Sequence, residues 1–289
     1  MKELMRKDTP DDWGLKKLQN VILNIAYDLD VFCQENTIPY CLMGGSALGA
    51  KRHGGFIPWD DDLDVFMTPD AYERFRSVFN EKGNKEKYYI QEQGASNGKV
   101  ITAKVRLNNS YLEEEILKGW HIHHGIYIDI FILHTCPNNK LLRIWQYVWA
   151  KYLIVKGLAN KEYHRHGAAT YYLLKAMKIL PKRFLLDFGL NQVYAFRNKH
   201  TDYFCNYLGK ARLKKGTYKH AHFATTKRVP FETIELNAAI GLEDFLKERF
   251  GDYMKIPSLD RIKYEQHAST WGIGEQYKYP DKSDEKYMF

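Results

Sequence analysis

Two aspartates, Asp62 and Asp64, stand two residues apart in the run Trp59-Asp60-Asp61-Asp62-Leu63-Asp64-Val65. Read as part of a strand over 62–67 (DLDVFM), they send both carboxylates to one face and leave Leu63 and Val65 on the other, because side chains alternate across an extended chain. Two carboxylates on one face repel unless something positive intervenes. A hard divalent cation, Mg²⁺ or Mn²⁺ in its place, takes carboxylates together with substrate phosphate oxygens. The spacing alone is weak, since a chain with 18 aspartates holds roughly one Asp-x-Asp by chance. The competing reading is a solvated acidic turn. Context favours the cation: four aspartates in five residues, after Pro58-Trp59 and before an apolar strand, suit a strand opening poorly unless the charge is used.

A third acid lies in GIYIDIFIL (125–133). Ile126, Ile128, Ile130 and Ile132 alternate on one face, leaving Tyr127, Asp129 and Phe131 on the other. An ionised Asp in an apolar strand is costly to bury unless paired, hydrogen-bonded or bound to metal. A role as metal ligand or base for Asp129 competes with capping of a neighbouring turn. Upstream, Gly44-Gly45-Ser46 sits between a short strand (IPYCLMGGS, 38–46) and a short helix (SALGAKR, 46–52). Glycines there let a backbone approach phosphate closely, with Gly45 and Ser46 at a helix N-terminus that offers N–H donors; a plain turn is the alternative. Arg52, at the end of that helix, and Lys104 and Arg106, on one face of KVITAKVRL (99–107), are candidates to grip phosphate oxygens. A solvated strand edge or helix end is the other reading of each. Trp120-His121-Ile122-His123-His124 offers three histidines, but no Cys or His partner at ligand spacing, so solvated loop histidines are expected rather than zinc.

The elements that must position these residues follow from periodicity. Leu15, Leu18, Ile22, Ile25, Ala26, Leu29 and Phe32 recur at helical spacing within 13–36. Thr68 or Asp70 caps a helix over 70–82. Strands are expected at 88–93, 99–107, 111–116 and 125–133. Beyond Pro137 the chain turns helical, aromatic and basic over 140–158 and 168–200, with breaks near Gly157 and Pro181. A further helix falls at 241–250. The expected class is α/β (α+β): a mixed-sheet core over 13–135, a helical and irregular region over 136–274, and a polar, frayed tail over 275–289.

The whole chain has 289 residues, 45% hydrophobic and 27% charged, which suits a packed core and excludes wholesale disorder. No apolar run reaches the roughly 18–20 residues that cross a bilayer, and the N-terminal residues lack the apolar stretch of a secretory signal. Cys33, Cys41, Cys136 and Cys205 form no CxxC pair, which argues against a disulfide scaffold or Cys-rich zinc site. The cytoplasm is the expected location. With 43 Lys+Arg against 35 Asp+Glu, the net charge is +8, which favours anionic partners such as nucleotides, phosphorylated glycans or lipid headgroups.

GGSALGAKRHGGFIPWDDDLDVFM (44–67) resembles the signature of the LicD family, phosphocholine transferases of bacterial surface polysaccharides related to the fukutin group. GIYIDIF (125–131) is similar to the family's third-carboxylate strand, and FETIELNAAIGLEDFLKERFGDYMKIP (231–257) to its closing block. Residues 138–200 carry no such match. The resemblance implies a nucleotidyltransferase-like fold and metal ligation by Asp62, Asp64 and Asp129. It also implies donor phosphate binding by Gly45 and Ser46, with Arg52, Lys104 and Arg106 offsetting charge. It implies a CDP-alcohol donor, a glycan acceptor and no nucleic acid.

Two other functions compete. An Asp-x-Asp glycosyltransferase would release a nucleoside diphosphate; a basic polyanion binder would survive loss of both Asp62 and Asp64. The helices at 140–158 and 168–190 either pack internally or rest on the anionic inner membrane leaflet, with Lys151 and Lys156 as the expected contacts.

Overall fold

In a computed structural model, residues 15–92, 102–114, 122–159, 182–258 and 268–278 are described, with Lys175 and Ile262 besides. The periodic apolar stripe folds as helix α1 (Leu15–Glu35), burying Leu15, Leu18, Ile22, Ile25, Ala26 and Leu29. Strand β1 (Cys41–Leu42) is only two residues long and leads into α2 (Gly44–His53). It is short because the helix starts at once, with the Met43 N–H turned onto the Asp64 carbonyl at 2.9 Å. Gly44 and Gly45 therefore open a helix rather than form a separate turn. Gly44 adopts φ +52°, a left-handed backbone that suits a residue without Cβ.

Strand β2 (Asp64–Met67) is followed by α3 (Pro69–Lys82). Thr68 caps α3, its hydroxyl accepting from the Ala71 N–H at 3.3 Å, and Pro69 takes the first helical position. Then come β3 (Tyr88–Gln91), β4 (Ala103–Leu107), β5 (Ser110–Glu114), β6 (Tyr127–Ile132) and β7 (His134–Cys136). Each strand expected from alternation over 88–133 is present with trimmed ends; residues 99–101 and 115–116 of two expected strands lie outside the described residues.

Helix α4 (Lys140–Ala159) runs through Gly157, where a break was expected. Gly157 is buried, and packing overrides a propensity cost of about 1 kcal/mol. Helix α5 covers Lys182–Tyr194; residues 160–174 and 176–181 lie outside the described residues, so the expected helix over 168–181 does too. The remainder holds more strand than expected: β8 (Tyr203–Cys205), β9 (Thr217–Lys219), the hairpin β10 (Thr226–Phe231) and β11 (Ile234–Ala239), then α6 (Leu242–Phe250) and β12 (Ala268–Ile273). Within the expected polar tail, Glu275–Tyr277 form one 3₁₀ turn, and Tyr277 stacks on Tyr111.

The central sheet has the order β1-β2-β6-β4-β3. Only β2 and β6 run parallel; every other neighbouring pair is antiparallel. Three smaller sheets are β7-β8-β9, β10-β11 and β12-β5. This mixed sheet with helices is the α/β (α+β) class expected.

The main core takes residues from both sides of position 135: Leu42, Val65, Phe66, Ile128 and Ile130 pack with Phe231, Leu236, Phe245 and Leu246. A second cluster (Cys136, Ala150, Leu153, Val193, Cys205, Tyr207 and Leu208) sits under α4 and α5. All four cysteines are buried free thiols.

Candidate functional site

Strand register builds the site. In the parallel pair β2/β6, Asp64 lies opposite Asp129, and in β6/β4, Asp129 lies opposite Lys104. Neighbouring strands are spaced by about 4.8 Å, so two carboxylates and one amine stand side by side on one face. Lys104 Nζ lies 3.0 Å from Asp129 and 3.6 Å from Glu114. It also sits 3.2 Å from the centre of the Tyr127 ring.

Asp62 is not in the ladder, since β2 starts at Asp64. It precedes the strand in an extended segment, and one oxygen from each of Asp60, Asp61 and Asp62 falls within 4.8 Å of the others. Its charge is felt on both sides. Burial first, then Asp62 and Asp129, holds the Asp64 carboxyl well above the ordinary range, while Lys104 and Lys210 pull it back. Asp60 is likewise pushed up, by burial and then by Asp62, Asp61 and Asp64. Burial and mutual repulsion thus outweigh the pull of Lys104 and Lys210 on Asp64.

The N-terminal end of α2 closes the opposite side. A Cβ on Gly45 would stand 2.9 Å from Asp60 Oδ2, and one on Gly44 would stand 3.6 Å from Asp64 Oδ2. A side chain at position 45 would push against the Asp60 carboxylate. The positive end of the helix dipole thereby faces the acids. Ser46 is buried, and its hydroxyl accepts from the Asp64 N–H at 2.8 Å, which ties the start of α2 to the start of β2.

The loop 54–63 is held from several directions. Gln19 of α1 donates to the Asp60 carbonyl at 2.8 Å, and Trp59 is buried. Glu232, at the β10–β11 turn with φ +54°, accepts from the Phe56 N–H at 2.8 Å and donates its own N–H to Gly54. Asp61 accepts from the Ala268 N–H at 2.8 Å.

The basic residues are placed differently from the phosphate-gripping role expected of them. Arg52 points to the closing block, donating to the carbonyls of Tyr253 (2.9 Å) and Lys255 (3.4 Å). Arg106 is 1% exposed and donates to Gln91 (2.8 Å) and to the Gly125 carbonyl (3.0 Å). Its Nη2 is buried and makes no hydrogen bond among the described residues. Lys104 neutralises acids of the chain itself.

The histidines are not the solvated loop residues expected. His123 is buried, stacked on Tyr89, 2.9 Å from Asn108 Oδ1, and pushed down to about 3 by burial and Arg106. His124 packs beside Tyr111, and His121 lies outside the described residues.

Sequence reasoning missed Lys210, Glu114 and Glu232. Lys210 follows Gly209 in an irregular loop and carries no periodic signal. Glu114 stood in a run of three glutamates with nothing to single it out.

The donor set fits a hard cation. Among the described residues, Asp60, Asp61 and Asp62 form the one cluster of metal-capable groups, and all its donors are carboxylate oxygens, with no Cys or His. Asp129 Oδ1 is buried and accepts no hydrogen bond, although Lys104 is near.

Residues 37–152 match the LicD/FKTN/FKRP nucleotidyltransferase domain. Over 262 residues, 84% of this chain and 92% of the relative, the chain is 28% identical to the lipopolysaccharide cholinephosphotransferase LicD of Haemophilus influenzae. It is 30% identical to the ribitol 5-phosphate transferase FKRP of Mus musculus over 111 residues, 38% of this chain and 17% of that protein. The resemblance to the LicD family read from the residues is thereby shown over most of the chain.

Proposed function

We propose that this protein is a transferase that moves phosphocholine, or a related phospho-alcohol, from a CDP-linked donor to a sugar hydroxyl of a cell-surface glycan or its lipid-linked precursor. The observation that carries this reading is the pairing of Asp64 with Asp129 on adjacent parallel strands, with Asp62 alongside and the glycine end of α2 opposite. The similarity to a cholinephosphotransferase and a ribitol 5-phosphate transferase supports the class of group moved.

Asp62 and Asp64, with Asp129 as third carboxylate, would hold Mg²⁺ or Mn²⁺, and Asp60 crowds the same space. Such a cation, when bound, offsets charge on the donor's phosphates. The N–H groups of Gly45 and Ser46, in the first turn of α2, would suit phosphate oxygens. The acceptor hydroxyl oxygen forms a bond to the phosphorus bearing the alcohol as the bond between the two phosphates breaks, so CMP leaves. Asp129 would orient that hydroxyl or take its proton, with the Lys104 amine 3.0 Å away. Because Arg52 and Arg106 hold backbone and Gln91, Lys210 is the better candidate for donor charge. We assign the reaction to the cytoplasm, where CDP-alcohols would be available.

The test is CMP release from a panel of CDP-linked choline, ethanolamine, ribitol and glycerol, with Mg²⁺ or EDTA, with and without cell-wall glycan. Metal-dependent release from one donor, raised by glycan, is expected. Release of a nucleoside diphosphate from a sugar nucleotide, with a glycosidic bond formed, would replace this reading by the glycosyltransferase.

A further inference from the structure

The chain's positive charge is concentrated in one place. Residues 138–200 hold 12 Lys+Arg and 2 Asp+Glu, a net of +10, so the remaining residues sum to −2 within a total of +8. This same region carries the main apolar exposure. Among the described residues, seven of twelve exposed large hydrophobic side chains lie on α4 and α5: Leu141, Leu142, Ile144, Trp145, Val148, Phe184 and Phe188.

They form one face. Leu141, Trp145 and Val148 follow helical spacing along α4, as Phe184 and Phe188 do along α5. The two helices run antiparallel. Trp145 Nε1 donates to Gln192 at 3.0 Å, Trp149 packs edge-on against Phe188, and Gly189 allows close approach to Trp149 and Leu153. The rings of Trp145, Trp149, Phe188 and Phe184 follow one another in contact across the pair. Beneath them, Gln146, Ala150, Leu153 and Val193 are buried, so the outward face is not needed for the core. Leu141 is 76% exposed and Phe184 73%, more than a monomer gains from leaving in water.

The cations that serve this face are not those expected from sequence. Lys156 is fully buried, and Lys151 donates to the carbonyls of Tyr207 (3.0 Å) and Gly209 (2.8 Å). Lys140 at the start of α4 and Lys199 beyond α5 are exposed.

We propose that the α4/α5 face docks on an anionic lipid surface, with Trp145, Leu141, Val148, Phe184 and Phe188 entering the headgroup boundary and the surrounding cations meeting lipid charge. No helix among the described residues is long and apolar enough to cross a membrane, so the pair lies in the plane of the interface. A bilayer fits the combination of a broad apolar face, a Trp within it and the exposed Lys140 and Lys199 beside it; a protein partner would need a matching acidic rim. The proposal stands apart from the transfer reaction, and its test separates them.

The full chain is sedimented with vesicles of phosphatidylcholine alone and of phosphatidylcholine mixed with phosphatidylglycerol, while tryptophan emission is followed. Binding to the anionic vesicles only, with a blue shift, is expected. Trp145→Ser with Phe184→Ser loses roughly tenfold or more of that binding, the scale of two buried aromatic side chains, yet releases CMP as wild type does in a vesicle-free assay. Asp62→Asn with Asp64→Asn does the reverse. No binding to anionic vesicles at low salt overturns the proposal. So does equal binding by the Trp145→Ser/Phe184→Ser protein, with folding confirmed by circular dichroism. A wild-type dimer in solution that the same pair of changes dissociates would assign the face to a second copy instead.

Discussion

Two buried acidic regions of this molecule handle charge in opposite ways. Around Asp30, which is 3% exposed, the fold supplies its own answer: Arg228 reaches both carboxylate oxygens at 2.6 and 2.8 Å, Gln34 donates at 2.6 Å, and the Tyr40 hydroxyl donates as well. Around Asp64, five aspartates meet two lysines, and burial with mutual repulsion drives Asp60 and Asp64 upward. The first region is complete and therefore structural. In the second, the carboxyls push one another up, which is why we propose it as the site. His134 shows a third solution: 1% exposed, with neither ring nitrogen hydrogen-bonded, it is held neutral, down to about 3, by burial.

The contrast can be broken by experiment. Asp62→Asn with Asp64→Asn should lower CMP release at least roughly a thousandfold, if the cation supplies several kcal/mol of transition-state stabilisation. In EDTA the same protein should melt no lower than wild type, because repulsion has been relieved. Mg²⁺ should raise the melting temperature of wild type alone. A destabilised double variant would mean these acids are as structural as Asp30.

Arg228→Ala should be the mirror image: a loss of about 3 kcal/mol in denaturant unfolding, at the low end for breaking a buried pair because Arg228 is about a third exposed. Adding Asp30→Asn should recover much of it. Unchanged stability would show that Gln34 and Tyr40 suffice.

Acid titration tests the third solution. His134 has a folded pKa below its unfolded value, so its contribution is intact above about pH 6.5 and is lost as pH falls toward about 3. The slope is about 1.4 kcal/mol per pH unit. At pH 5, His134→Phe should therefore unfold at higher denaturant than wild type, by about 2 kcal/mol, with a smaller difference at pH 8. Equal gains at both pH values would trace the effect to packing.

The mildest change is Gly45→Ala. Helix propensity favours alanine by about 1 kcal/mol, but its Cβ would crowd Asp60 Oδ2. Stability should move by less than about 1 kcal/mol, while CMP release falls roughly tenfold, a shift of about 1.4 kcal/mol. Full activity would mean that Asp60 can move without consequence.

Much of the fold was legible locally. The stripe of α1, the Thr68 cap and the alternation of β6 are short-range patterns, and each element forms where its pattern lies. Asp62, Asp64 and Asp129 could be singled out one at a time, since charge within apolar strands is expensive and draws attention. The residues whose surroundings the sequence hid were the cations. A guanidinium or amine near a phosphate motif looks the same in sequence whether it faces substrate, as assumed for Arg52 and Arg106, or a backbone carbonyl, as the structure has it. Lys151 and Lys156 failed for the same reason.

Residue order alone therefore determined most helices and strands up to position 133 and which carboxylates are costly, because both depend on neighbours a few positions away. Only the tertiary structure decided that Asp64 stands beside Asp129 and Asp129 beside Lys104. Strand register is set by the packing of a whole sheet, across separations of 65 and 25 residues, and no local pattern encodes it.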